Sequence, residues 1–273
     1  MEVYVEEKSL DINKLFLDDS KLDRNFYGYD TESHLIEKFT HNDLINDYLI
    51  ERVRRLNISA NYLVVSLQRF QYNALCLTQK HDEFDEKDYY AFLNNYRCSC
   101  RDVLINIDIF IENIKTFIRY YFFMDLDKTD DTKIWMKTLK NYDKIPQWKY
   151  IQVFLDKCSL LYVHEDTKLL NNIRNKEVHS TSPIQLMKYK FLVGNLIPVP
   201  VEYIISNQEL HDKILNVVEL LLDVVAALQD LLNNISPKNI LNYLSPQDGK
   251  LKNIIKMSNR YKKEKEFLEE IYK

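Results

Sequence analysis

Apolar residues between positions 43 and 78 recur at mostly three- and four-residue intervals. These are Leu44, Ile45, Tyr48, Leu49, Val53, Leu56, Tyr62, Leu63, Val65, Leu67, Phe70, Ala74 and Leu75, with charged residues between them. That spacing follows the turn of an α-helix and predicts one long helix. A second stripe, Leu104, Ile107, Ile111, Ile114, Ile118 and Tyr121, predicts a helix from about Lys87 to Phe123. The acidic connector HDEFDEKD (81–88) supplies carboxylates to its first turn, where the helix dipole favours them. After the polar link DLDKTDDTK (125–133), a shorter helix is expected around 133–142. The next helix is expected to take Pro146 at its first position and run to about His179.

Residues 181–204 break this pattern. They carry three prolines, Gly194 and β-branched residues, which predicts an excursion with a short hairpin. Helical periodicity returns over 207–234, where Leu210, Ile214, Val217, Leu221, Val224, Val225, Leu228 and Leu232 share a face. A short helix is expected from Ser236-Pro237, a basic amphipathic one over Lys250–Lys273, and a short strand in MEVYVEE. No proline precedes Pro146, and the other five run from Pro183 to Pro246. The first half can therefore hold long unbroken helices while the second is segmented. The expected fold is all-α, an antiparallel helical bundle in a single domain of residues 1–273. Its core covers about 40–235, with an N-terminal arm (1–39) and a C-terminal helical extension (236–273).

Composition sharpens that picture chiefly through glycine. The chain has 273 residues and three glycines, against roughly nineteen for average usage. Gly28, Gly194 and Gly249 are isolated, so there is no Walker loop, GxGxxG turn or GxSxG elbow. Phosphate recognition must then come from side chains. A net charge of -4 argues against a broad basic face for duplex nucleic acid. No signal peptide or 18-residue apolar span is seen, and four cysteines in so long a chain read as free thiols. The expectation is a cytoplasmic protein with no membrane association.

Several constellations fail on spacing. DLDKTDDTKIWM (125–136) opens like a calcium loop, but the turn-glycine position holds Asp130 and the bidentate-Glu position holds Met136. His164-Glu165 opens like a zinc-protease helix, yet the second histidine's place is Lys168. Cys98 and Cys100 are separated by one residue and lack a second pair, so they are expected to pack on opposite sides of a helix. Tyr120, Tyr121, Phe122 and Phe123 are expected to fill core. No metal or cofactor is expected.

One segment passes this filter: LLNNIRNKEVHS (169–180), at the end of a long helix. Asn175 and His179 are four apart and stack on one helical face, while Arg174 lies about 140° around from His179. The group combines a permanent planar cation, an imidazole that titrates near neutrality and an amide that can orient either. Such a set suits phosphodiester chemistry. The plainer reading is that these residues cap the negative end of the helix.

The hexapeptide Arg174-Asn175-Lys176-Glu177-Val178-His179 resembles the R-x4-6-H motif of HEPN (higher eukaryotes and prokaryotes nucleotide-binding) domains. There, too, a polar residue follows the arginine. The helical pattern over about 40–235 is similar as well, but only the hexapeptide is specific. The resemblance implies a homodimer that brings two motifs to a shared cleft. It also implies a metal-independent endoribonuclease of the toxin–antitoxin or defence kind, with RNA or nucleotide as ligand and an antitoxin or other protein as partner. Carried over by position, His179 would be the general acid/base, Arg174 would hold the scissile phosphate and Asn175 would orient them. Lys176 is the candidate substrate-binding cation. The alternative is a non-catalytic helical dimer that binds nucleotide, RNA or protein. Departures from the family are the greater length, the acidic balance and the insertion at 181–204.

Overall fold

The computed structural model describes residues 10–17, 42–79, 86–127, 129, 131–179, 187–192, 195–200, 207–236 and 240, with 256, 259, 262, 263 and 266 near the C-terminus. The described chain is all-α apart from one hairpin. Its helices are α1 (Asn42–Gln79), α2 (Glu86–Tyr121), α3 (Thr132–Leu139), α4 (Trp148–Val163), α5 (Glu165–His179) and α6 (Asn207–Asn234). Short 3-10 turns cover Ile12–Leu15 and Lys140–Tyr142. Strands β1 (Met187–Leu192) and β2 (Asn195–Pro200) pair antiparallel, with Met187 opposite Pro200 and Leu192 opposite Asn195. A two-stranded ribbon has an outward edge on each strand, so Pro198 and Pro200 fit where no ladder N–H is needed. The strand expected in MEVYVEE, the start of the 81–88 connector, most of Lys250–Lys273 and the helix after Ser236-Pro237, apart from Ile240, lie outside the described residues.

Three boundaries differ from the expectation. Pro146 sits in a turn two residues before α4 instead of opening it. The single helix expected up to His179 is two, divided at His164. Its physical reason is local: the Asp166 N–H donates to His164 Nδ1 at 3.3 Å, as to an N-cap, and Glu165 and Asp166 supply the acidic first turn. Five polar residues, His164 to Lys168, interrupt the apolar pattern between Val163 and Leu169, and the expected single helix runs across that gap.

The third difference is the end of α2, which closes at Tyr121 instead of Phe123. Met124 N–H donates to Arg119 C=O at 2.9 Å and Phe123 N–H to Tyr120 C=O at 3.1 Å, the pair of bonds of a Schellman cap. That cap needs a left-handed residue, and Phe123 takes it, at φ 49°. Glycine is the usual occupant because a Cβ costs about 1–2 kcal/mol there. In this glycine-poor chain the cost is offset by burial: the Phe123 ring is 2% exposed. Downstream, Arg119 donates to Thr129 Oγ1 at 3.0 Å and to the Leu126 carbonyl, so the acidic link is folded onto a buried guanidinium.

The chain divides into two compact units. One holds residues 1–13, 59–110 and 159–223, and the other holds 14–58, 111–158 and 224–273. Helices α1, α2 and α6 therefore contribute to both. In the first unit α1 and α2 run antiparallel. Asn106 Nδ2 donates to the Tyr62 carbonyl at 3.5 Å, while Asn73 Nδ2 reaches the Asn95 carbonyl at 3.4 Å and Ser99 Oγ at 3.3 Å. Phe70 is fully buried between Tyr96 of α2 (ring centroids 5.6 Å) and His211 of α6 (5.1 Å). Burying one such ring contributes about 1.5–3 kcal/mol. Cys100 and Cys98 lie on opposite sides of α2 as expected, but only Cys100 packs in the core, and Cys98 is exposed.

The second unit is built on aromatics. Tyr120 to Phe123 are all buried, as expected for core-filling residues. The Tyr121 hydroxyl donates to the Ile235 carbonyl and the Tyr142 hydroxyl to the Phe122 carbonyl, the latter at 2.7 Å. Trp135 of α3 packs on Phe154 of α4 with centroids 6.3 Å apart. Leu17 N–H donates to Asn57 Oδ1 at 3.0 Å and its carbonyl accepts from Asn57 Nδ2 at 3.2 Å, so a side-chain amide of α1 pairs the N-terminal segment as a strand would.

Candidate functional site

Helix α5 carries the motif and ends on His179. Its apolar side, Leu170 and Ile173, is buried, which turns Arg174 to the margin of the core and leaves Asn175 exposed. Arg174 Nη2 lies 2.8 Å from Asp108 Oδ2 on α2, with side chains 24% and 33% exposed. The pair is thus half withdrawn from water, where a charge-assisted bond is stronger and a lone charge costlier. Arg174 Nε is buried and makes no hydrogen bond among the described residues. One edge of the guanidinium holds a carboxylate, and a donor remains for a further acceptor. The side chains of Lys176 and His179 lie outside the described residues.

Asp108 was not predicted from the sequence. It stands between Ile107 and Ile111 of the buried stripe, so its closeness to the core is legible. Its partner is not, because Arg174 comes from a helix three elements later.

The start of α5 is fixed by a second polar group. Asp166 is 8% exposed and accepts from Lys213 Nζ at 2.9 Å and Asn216 Nδ2 at 3.1 Å, both on α6. Burial pushes the Asp166 carboxyl up. The bonds from Lys213 and Asn216, the Lys213 charge and His164 when protonated outweigh it, and the group titrates below its ordinary value. Lys213 is raised by its bond to Asp166, against its own desolvation, with Glu209 3.6 Å away adding to the rise. Two bonds from α6 to one carboxylate fix the start of α5 against α6.

His211, two residues before Lys213 on α6, is 2% exposed. Its Nδ1 is 3.4 Å from Asp212 Oδ1 and its Nε2 has no hydrogen-bond partner among the described residues. Burial, with Cys100 and Asp212 nearby, raises the Tyr96 hydroxyl well above its ordinary value, so it stays protonated. This cluster belongs to the core that holds α6 in place.

No family model matches the chain, and no curated protein or solved structure matches it. No described helix is long and apolar enough to cross a membrane.

Proposed function

We propose that this chain is a HEPN-type, metal-independent endoribonuclease that acts as a homodimer in a toxin or defence system. The observation that carries the reading is the Arg174-Asn175-x-x-x-His179 hexapeptide at the end of α5, with Arg174 held on Asp108. The antiparallel bundle and the shared cleft belong to the same reading.

In that reaction the His179 imidazole takes the proton from an RNA 2′-hydroxyl, and the 2′-oxygen attacks the adjacent phosphorus. The 5′-oxygen of the next nucleotide leaves as its bond to phosphorus breaks and takes the proton back from the imidazolium, and the product ends in a 2′,3′-cyclic phosphate. Arg174 stabilises charge growing on the phosphoryl oxygens through the donors that Asp108 does not take. Asn175 orients the pair, and Lys176 binds a flanking phosphate. DNA lacks the attacking hydroxyl and is spared.

The test is cleavage of single-stranded RNA by purified protein in EDTA. His179→Ala is expected to lower the rate about 10²–10⁴-fold, and Arg174→Ala about 10²–10³-fold. Because Arg174→Ala strands Asp108, a thermal melt of the double variant Arg174→Ala/Asp108→Ala separates loss of fold from loss of chemistry. Absent cleavage, or cleavage unchanged by both variants, contradicts the reading. The Arg174–Asp108 pair also favours a second reading, a non-catalytic dimer that binds nucleotide, RNA or protein, since a paired guanidinium is partly neutralised. Nucleotide or RNA binding without turnover would support it.

A further inference from the structure

The contact between Arg174 and Asp108 uses only half of what the arginine offers. Asp108 Oδ2 lies 2.8 Å from Arg174 Nη2, while Arg174 Nε is buried with no hydrogen-bond partner among the described residues. Nε and Nη2 form one edge of the guanidinium, with two parallel N–H donors spaced for two oxygens of a carboxylate or phosphate. Asp108 engages one of them. A buried N–H without an acceptor has lost its water and found no replacement, so this edge is the least satisfied part of the pair.

The carboxylate that ties α5 to α6 is built differently. Asp166 accepts through both oxygens, from Lys213 Nζ at 2.9 Å and from Asn216 Nδ2 at 3.1 Å, and its side chain is 12% exposed. The Asp108 side chain is 33% exposed and meets Arg174 through one oxygen. Water already reaches it, so a single contact of this kind is far more easily released than the Asp166 pair of bonds.

We infer that Asp108 is a displaceable counter-ion, which holds Arg174 in a resting state until a phosphate of a single-stranded polynucleotide takes the whole Nε–Nη2 edge. This role rests on the proposed reading of Arg174 as the residue that holds phosphate, and it gives that site its regulation. A phosphodiester presents two unesterified oxygens to the two donors and satisfies the buried Nε–H that Asp108 leaves idle. Asp108 and the phosphate carry the same sign and claim the same donor, so each excludes the other. Binding then includes the work of opening the ion pair, and the apparent affinity falls by the fraction of chains in which the pair is closed.

Equilibrium binding of a short fluorescent 2′-deoxy oligonucleotide to the full chain tests it, since that probe carries the phosphates but lacks the attacking hydroxyl. Asp108→Asn removes the competing charge at nearly constant shape and is expected to tighten binding about tenfold. In an Arg174→Gln background the same substitution is expected to change nothing, because the gain passes through the guanidinium. A general fall in negative charge would tighten both equally. The wild type supplies a reading that needs no change at position 108. Its Arg174 Nε–H proton resonance, identified by its absence in Arg174→Gln, is expected to shift as the oligonucleotide saturates the chain.

Binding unchanged or weakened in Asp108→Asn with an unaltered melting curve overturns the inference. So does an equal gain in the Arg174→Gln background, no binding by wild type or Asp108→Asn, or an Nε–H resonance indifferent to the oligonucleotide. Coupled binding without RNA cleavage in EDTA keeps the counter-ion and removes the ribonuclease, and cleavage without that coupling does the reverse.

Discussion

Phe123 shows what a shortage of glycine does to a single residue. The chain stops α2 with a left-handed cap, and the position that glycine usually fills is given to a buried ring instead. Two opposed effects meet there. Removing the ring costs about 3–5 kcal/mol, and removing the Cβ from a left-handed backbone returns about 1–2 kcal/mol. Phe123→Gly is therefore expected to lose about 2 kcal/mol in urea unfolding. Phe123→Ala, which keeps the Cβ, is expected to be worse by about 1 kcal/mol, the reverse of the order at ordinary helical positions. If alanine proves the milder substitution, the left-handed conformation is wrong. Nothing in the neighbouring sequence announces this residue, because Tyr-Tyr-Phe-Phe reads simply as core. The candidate site divides in the same way. Arg174 and Asn175 are visible as a motif, while Asp108 is found only when α2 and α5 are brought together.

Among the elements, the long helices were legible because each repeats its apolar face over many turns. Helices α1, α2 and α6 begin and end within two residues of their expected limits. The break between α4 and α5 is missed by the expectation although its signal is in the sequence: five polar residues, His164 to Lys168, interrupt the apolar spacing, and only the histidine cap itself is invisible there. That break matters because it creates the first turn in which Asp166 bonds to Lys213 and Asn216. The Asp166 carboxyl is depressed in the folded chain, so its contribution is present above the ordinary carboxylate range and is lost as pH falls through that range. Lys213→Met is expected to destabilise the chain by about 1.5–3 kcal/mol near neutral pH. The deficit should shrink as the pH is lowered from 6 toward 3, in urea titrations run at each pH. A constant deficit across that range would show that Lys213 acts by packing and not through the carboxylate.

For the whole molecule, composition excludes more than it assigns. With a net charge of -4 and no glycine-rich phosphate loop, the proposed handling of RNA would have to rest on a few side chains placed by helices. The end of α5 is where the sequence concentrates them. The proposed chemistry is cleavage of RNA by an imidazole and a guanidinium through its own 2′-hydroxyl. It is tested most directly by the mass of the products from a short single-stranded RNA cleaved in EDTA, beside the same oligonucleotide with 2′-deoxyribose at the cut position. The account predicts a fragment ending in a 2′,3′-cyclic phosphate from the RNA and no cut at the deoxy position. Cleavage of the deoxy-substituted strand, or a product ending in a 5′-phosphate, would contradict it.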